Sequence, residues 1–477
     1  MNFSKKNHKH HKNNKNFVSK KIFIVALFFI AMGLTSCKKE TKTQIQSENK
    51  IVKTGLIASF GNQPSITVSP NDEIGVVFGK EESIYFSSSK NSGDTFSEPT
   101  LVAKLDGLML GYSSGPEITM TSTYTIITAP SRTGNLYSWT KMNDADIWNG
   151  PFRINDVDKS VGECLSAITS TPDGQLFCTW IDTRKDVAGS HESHAATPEH
   201  KMESHDSKDI KEEDLSVMTP IGISKKELYA KIGTIPENAH LSFHDDSDGE
   251  LLWVFLDTEG NAIKAENLEE FKKFRERNKG REKAKGKIYM ATSINGGQTW
   301  SKSNLVYQSP DGSVCECCKP SIKSDSKGAL FVMFRNNING SRDLHFTKSI
   351  DNGKTFSEAE KLGTGTWKIN GCPMDGGGID INKKGELNTV WQRNGEIFMS
   401  DSGDNEQQIG YGRSPSISSN NHKTNIIFTM GEDIMVTDSK IILPEKIGTG
   451  TSPKVLTTKN ATIYFWVNEE GIQYKKI

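Results

Sequence analysis

Apolar and polar residues alternate along most of this chain in short stretches separated by Gly, Asp, Asn and Pro. The stretch PSITVSPNDEIGVVFG (64–79) reads as a short strand, a turn and a strongly β-forming strand. The same unit recurs at 165–182, 319–336, 377–394, 414–431 and 452–469, with a looser copy at 116–133, which makes seven pairs. Period-2 alternation bounded by turn residues predicts a hairpin. A third strand follows most pairs, and then an outer strand such as 99–103 or 151–154. The predicted repeat therefore has four strands, A to D.

A second recurrence sits between strands C and D. Residues 89–96 (SKNSGDTF), 293–300 (SINGGQTW) and 349–356 (SIDNGKTF) share the form Ser-x-Asp/Asn-x-Gly-x-Thr-Trp/Phe. Asp or Asn can bond its own backbone two residues on, and Gly supplies a positive φ. The terminal aromatic can pack back over the hairpin. Four-stranded repeats arranged radially make a β-propeller. The expected fold is all-β, a six- or seven-bladed propeller, with seven repeats counted. The chain ends on a C strand, so residues 51–60 are expected to supply the missing D strand.

The spacing doubles between Asp182 and Lys287. Residues 190–214 are polar and charged and read as a disordered loop. Leu251–Leu256 reads as an extra strand, and 265–285 as a charged helix whose apolar residues are Leu268, Phe271 and Phe274. The interval, about 186–286, is expected to be an insertion in the third blade.

Composition refines this picture at the ends. The 477 residues carry a formal net charge of −1, which gives no argument for a nucleic-acid partner. Residues 1–21 are rich in Lys, Asn and His, and 22–34 form a short apolar run that leads to Leu34-Thr35-Ser36-Cys37. This order resembles a lipoprotein signal peptide over 1–36, with Cys37 as the lipidated residue, 37–50 as a tether and 51–477 as the propeller. The expected location is the bacterial cell envelope, with the membrane as a partner through the anchor. Export implies an oxidising compartment. Six cysteines follow Cys37, an even number that permits three disulfides of undetermined connectivity.

In a propeller the D-to-A and B-to-C connections share one face, and the octets lie on the other. The first face collects Glu163-Cys164, Cys315-Glu316-Cys317-Cys318 and Cys372-Pro373-Met374-Asp375 before A strands, with Tyr411-Gly412-Arg413 in the same phase. After B strands come Arg132, Asp182-Thr183-Arg184, Arg335, Arg342 and Arg393. Three readings of the cysteines stand open. One is a disulfide staple, with Cys178 a core residue or the partner of Cys164. Another is a thiolate metal site of Cys315, Cys317, Cys318, Cys372 and Met374, whose soft ligands favour copper or zinc. The third is a redox role for adjacent thiols. His191, His194, His200 and His205 form a further histidine cluster within a polar loop. Arg132, Arg184, Arg335, Arg393 and Arg413 are placed to read an anionic ligand, since guanidinium binds carboxylate bidentately.

The octets are similar to the Asp-box, or bacterial neuraminidase repeat, and 51–477 resembles the sialidase-like propeller superfamily. The run from Asp311 to Cys318 and the run from Gly371 to Gly378 resemble an exported subgroup of it. The resemblance implies exo-sialidase-type hydrolysis or glycan binding. It implies an arginine cluster on the substrate carboxylate, a Tyr nucleophile activated by a Glu, and an Asp as acid/base. Tyr411 (or Tyr112), Glu163 and Asp375 are the matching candidates, and no cofactor is required. The family's Arg-Ile-Pro motif is missing; Phe152-Arg153-Ile154-Asn155 imitates it on an outer strand. Non-hydrolytic alternatives are a copper- or zinc-binding propeller and a disulfide-stapled interaction scaffold.

Overall fold

The structure, a computed structural model, describes residues 52–111, 113–184, 225–233, 240–245, 251–256, 262–278, 285–369, 373–382, 384–401, 405–420 and 423–477. The signal segment with Cys37, the histidine cluster, Tyr112 and Cys372 all lie outside the described residues.

Seven four-stranded sheets follow one another, each paired in chain order apart from the last. Blade 1 comprises Asn62–Val68, Ile74–Lys80, Ser83–Ser89 and Thr100–Lys104. Blade 2 comprises Glu117–Met120, Tyr124–Ser131, Asn135–Met142 and Asn149–Arg153. Blade 3 comprises Ser166–Ser170, Leu176–Asp182, Lys287–Ser293 and Asn304–Tyr307. Blade 4 comprises Ser321–Ser324, Leu330–Arg335, Leu344–Ser349 and Glu360–Lys361. Blade 5 comprises Gly378–Ile381, Leu387–Arg393, Glu396–Ser400 and Gln407–Tyr411. Blade 6 comprises Arg413–Ser419, Thr424–Met430, Asp433–Asp438 and Ile441–Thr449.

Blade 7 has Thr451–Thr457, Thr462–Asn468 and Gly471–Lys476, and Lys53–Ala58 from the other end of the chain supplies its outer strand. The A strand of each blade neighbours those of the adjacent blades, and that of blade 7 returns to blade 1. The ring is therefore a closed seven-bladed propeller.

The B strands are buried on both faces, so they read as apolar runs rather than clean alternation. Every residue of Leu176–Asp182 is buried. Successive side chains point to opposite faces. Phe177 accordingly enters the core between blades 3 and 4, while Cys178 enters the one between blades 2 and 3. An apolar layer of this kind fills each of the seven blade-to-blade interfaces.

The octets occupy the C-to-D turns of blades 1, 3 and 4. Ser349 Oγ donates to Asp351 Oδ1 at 2.8 Å and accepts the Gly353 N–H at 2.9 Å. Asp351 accepts the Thr355 N–H at 2.9 Å and the Thr355 hydroxyl at 2.6 Å. Asn91 and Asn295 accept the corresponding threonine amides at 3.0 Å. The closing aromatic reaches beyond its own hairpin, although Trp300 Nε1 also donates to the Gly297 carbonyl of its own turn at 3.1 Å. Phe96 of blade 1 packs on Phe465 and Tyr474 of blade 7, and Trp300 of blade 3 donates to Ser138 Oγ of blade 2 at 2.9 Å. Each octet thus clasps the preceding blade, where apolar area is available for burial.

Blade 3 carries the expected insertion. Its B strand pairs directly with Lys287–Ser293, so the whole interval leaves and rejoins between strands B and C. The described part contains helix α1 (Lys225–Ile232), a three-stranded sheet of His240–Asp245, Leu251–Leu256 and Ala262–Ala265, and helix α2 (Leu268–Asn278). Leu228, Ile232 and Phe255 form its small core.

Candidate functional site: the sulfur centre at the channel mouth

Strand order places the loop before blade 4 on the face opposite the octets. Val314 N–H donates to the Gly286 carbonyl, and Cys315 N–H donates to the Arg335 carbonyl, each at 2.9 Å. Cys318 N–H then turns back to the Cys315 carbonyl at 3.3 Å. This turn gathers three sulfurs. Cys315 Sγ stands 3.2 Å from Cys318 Sγ and 3.6 Å from Cys317 Sγ, and Cys317 and Cys318 are 4.0 Å apart. Cys315 and Cys318 are 1% exposed, whereas Cys317 is half-buried. Cys315 and Cys318 are free thiols. Cys317 is disulfide-bonded.

Cations surround this cluster. Arg335 is 1% exposed and donates to the carbonyls of Asp375 (2.9 Å), Arg342 (2.6 Å) and Gln392 (2.9 Å). Its guanidinium faces the Trp367 ring, 5.5 Å from the centroid. Arg342 Nε is buried without a hydrogen-bond partner among the described residues. Burial pushes the Cys318 thiol up. The hydrogen bond from Cys315, the Arg335 charge and the Asp375 N–H outweigh burial and the Asp375 carboxylate, and bring it down to about 7. Cys315 moves well up, because it hydrogen-bonds to Cys318 and is itself buried.

Other candidates occupy distinct positions. Asp375 is buried and accepts the amides of Gly377 (3.1 Å) and Ser414 (2.9 Å), joining the loop before blade 5 to the A strand of blade 6. Met374 has φ +51°, and its carbonyl accepts the Ser113 hydroxyl at 3.3 Å from the loop before blade 2. Arg413 donates to the Pro373 carbonyl at 2.6 Å. Arg393 forms a bidentate pair with Glu406 at 2.6 and 2.8 Å. Arg184 pairs with Asp182 at 2.7 Å and Asp156 at 3.3 Å, and lies 4.0 Å above the Tyr289 ring. Arg132 and Glu163 are exposed, and Tyr411 is 62% exposed at the end of the outer strand of blade 5.

Cys164 and Cys178 are not partners: both are free and buried. Cys164 donates to the Ser131 carbonyl at 3.2 Å, and burial, with Glu163 adding and Arg132 opposing, pushes its thiol up to about 11. Burial also raises Cys178.

The channel holds a charged group that the repeat phase alone does not point to. Glu117 accepts the Ser65 hydroxyl at 2.9 Å and the Lys319 ammonium. Lys454 is brought down to about 8 by burial and by Lys319, with Glu117 and Asp375 opposing. The available signal was a charge beside proline at the start of an A strand, as in Pro116-Glu117, Lys319-Pro320 and Pro453-Lys454.

No family model matches the chain, and no curated protein matches it. Solved structures with a similar course include virginiamycin B lyase from Staphylococcus aureus, at 12% identity and TM-score 0.39, over 89% of this chain and 98% of that one. The NanB sialidase from Streptococcus pneumoniae shows 12% identity and TM-score 0.35, over 89% and 69%. The Penicillium chrysogenum alpha-L-arabinanase shows 8% identity and TM-score 0.39, over 89% and 97%. The propeller assignment rests on the strand order itself, and these likenesses add no activity to it.

Proposed function

We propose that this protein is an exported, lipid-anchored propeller whose cysteine loop before blade 4 binds a thiophilic cation, copper(I) or zinc. One observation carries the reading: the sulfurs of Cys315, Cys317 and Cys318 lie within 4.8 Å of one another. Sulfurs that share one zinc ion at about 2.3 Å stand roughly 3.8 Å apart in a tetrahedral site, and these sulfurs stand 3.2, 3.6 and 4.0 Å apart. Thiolates select copper(I) and zinc over harder ions. Arg335 and Arg342 supply positive charge against them, as their lowering effect on Cys315 reflects. Met374, beside Asp375, offers a soft thioether from the next loop.

Glycoside hydrolysis would draw on other residues. Arg184 and Arg393 already hold carboxylates of this chain, and Arg335 and Arg413 donate to backbone carbonyls. Their use on a sugar carboxylate requires those contacts to be exchanged.

The test is metal analysis of the mature protein purified under reducing conditions. A single copper or zinc ion per chain is expected, and its loss from the Cys317→Ser/Cys318→Ser variant. Reduced wild type without metal overturns the reading. Turnover of a fluorogenic sialoside that Arg413→Ala abolishes would favour the hydrolase instead. Cys37→Ala is expected to move the protein from the membrane to the soluble fraction.

A further inference from the structure

We propose that the disulfide at Cys317 is a redox gate on this metal site; the proposal rests on the metal-binding reading above. The three sulfurs are unequal. Cys315 and Cys318 are buried thiols, while Cys317 is half-buried and disulfide-bonded. A sulfur in a disulfide cannot become a thiolate, and the thiolate is the metal ligand. The observed state therefore offers two thiol donors in this loop and withholds the third.

Little has to move for the third to join. Cys317 Sγ already stands 3.6 Å from Cys315 Sγ and 4.0 Å from Cys318 Sγ. The loop backbone is pinned independently of the sulfurs, by Val314 N–H on Gly286, by Cys315 N–H on Arg335, and by Glu316 Oε1, which accepts the Ser313 hydroxyl at 2.7 Å and the Gly286 N–H at 3.2 Å. Among the described residues, reduction changes the bonding of the Cys317 sulfur alone.

The placement argues against a purely structural staple. Two thiols within 4.0 Å of a disulfide sulfur are ready nucleophiles for exchange, whereas a permanent bridge is safest with no thiol at hand. The half-buried position of Cys317 also lets an external reductant approach. That reductant is a dithiol by class. One of its thiolates attacks the disulfide and forms a mixed disulfide, releasing one protein thiolate. Its second thiol then closes on the first and releases the other. Two electrons and two protons pass to the protein, which gains two thiols, and the dithiol leaves as a cyclic disulfide. The cation then displaces the protons of the cysteines that it binds.

Zinc is the suitable probe because it does not itself oxidise thiols. Its affinity is measured by competition with a chromophoric chelator on mature protein, either with the disulfide intact or after dithiothreitol treatment and anaerobic desalting. The reduced protein is expected to bind zinc at least about tenfold more tightly. Cys317→Ser, with Cys317→Ala in reserve if the serine variant fails to fold, is expected to bind weakly in both states. Equal affinity of the two wild-type states overturns the gate and leaves the metal site standing. Absence of binding in both states overturns the metal site and the gate with it. A Cys317 variant that still tightens on reduction shows that another disulfide is responsible.

Discussion

Arg335 Nε donates to the Asp375 carbonyl at 2.9 Å, and this bond ties the B strand of blade 4 to the loop that opens blade 5. The same guanidinium holds two further carbonyls, and the Arg335 carbonyl itself anchors Cys315. One buried side chain thus sets the frame of the sulfur centre.

Replacing Arg335 with Met would strand three carbonyls in a buried place. Leaving buried polar partners unpaired costs about 1–3 kcal/mol each, only part of which adds. Arg335→Met is therefore expected to lower unfolding stability by about 3–5 kcal/mol. The check is a lower urea midpoint at unchanged slope. Arg335→Lys is expected to recover only a fraction, because a single ammonium cannot span three acceptors in a plane. A change under about 0.5 kcal/mol, the range of an ordinary surface substitution, would refute the framing role.

Lys454 gives a pH signature of the opposite kind to a salt bridge. Its folded value, about 8, lies below that of an unfolded lysine. Between the two values the unfolded chain binds more protons, so stability rises as pH rises from about 8 towards 10. Below about 8 the charged amine costs stability. Lys454 is half-buried rather than fully enclosed, so Lys454→Met is expected to gain on the order of 1–2 kcal/mol at pH 7, less than a full-burial shift would give. The gain should shrink as pH rises past 8, followed by chemical denaturation at several pH values. A destabilised variant would mean that the amine holds a partner of its own.

Asp351 titrates the other way. The Thr355 hydroxyl and amide, with Ser349, hold its carboxyl down at about 2. Its contribution is present above the unfolded value near 4 and is lost as pH falls from about 4 to about 2. Asn91 and Asn295 keep the corresponding threonine contact without a titrating group. Asp351→Asn is therefore expected to fold normally at pH 7 and to show a flatter loss of stability between pH 4 and 2. An unchanged acid profile would show that the octet bonds add nothing net.

Closure by the N-terminal strand and the phase of the described cysteines were legible, because each follows from the repeat, whereas the count stood open between six and seven blades and is decided by the seven four-stranded sheets. Lys53–Ala58 had to pair somewhere, and Gly471–Lys476 offered the one C strand that lacked an outer neighbour. What was not legible is which partner each side chain takes. Arg335, Arg393 and Arg184 share a repeat phase, yet they meet carbonyls, Glu406 and Asp182 respectively. The shared phase does not encode the acceptor: Arg184 and Arg393 meet carboxylates of their own blades, while Arg335 reaches the Asp375 and Gln392 carbonyls of the next one. The reach of the octet aromatics into the preceding blade was likewise hidden: Phe96 packs on blade 7, far away in sequence.

The same clasp yields a test at Gly353. Its φ is +74°, and a Cβ built there would overlap Met290 Cε in the preceding blade. Two costs then combine in Gly353→Ala. The left-handed backbone costs an L-residue about 1 kcal/mol, and forcing a methyl into the filled space against Met290 costs about 1–3 kcal/mol. A total loss of about 2–4 kcal/mol is expected from these two terms. Only the second depends on Met290, which is 1% exposed in the core between blades 3 and 4. Met290→Ala alone opens a cavity and costs about 2–5 kcal/mol. In the double variant the alanine methyl at 353 has room, so the two losses should fall short of their sum by about 1–2 kcal/mol. Strict additivity would place the whole cost of Gly353→Ala in the backbone and remove Met290 from the clasp.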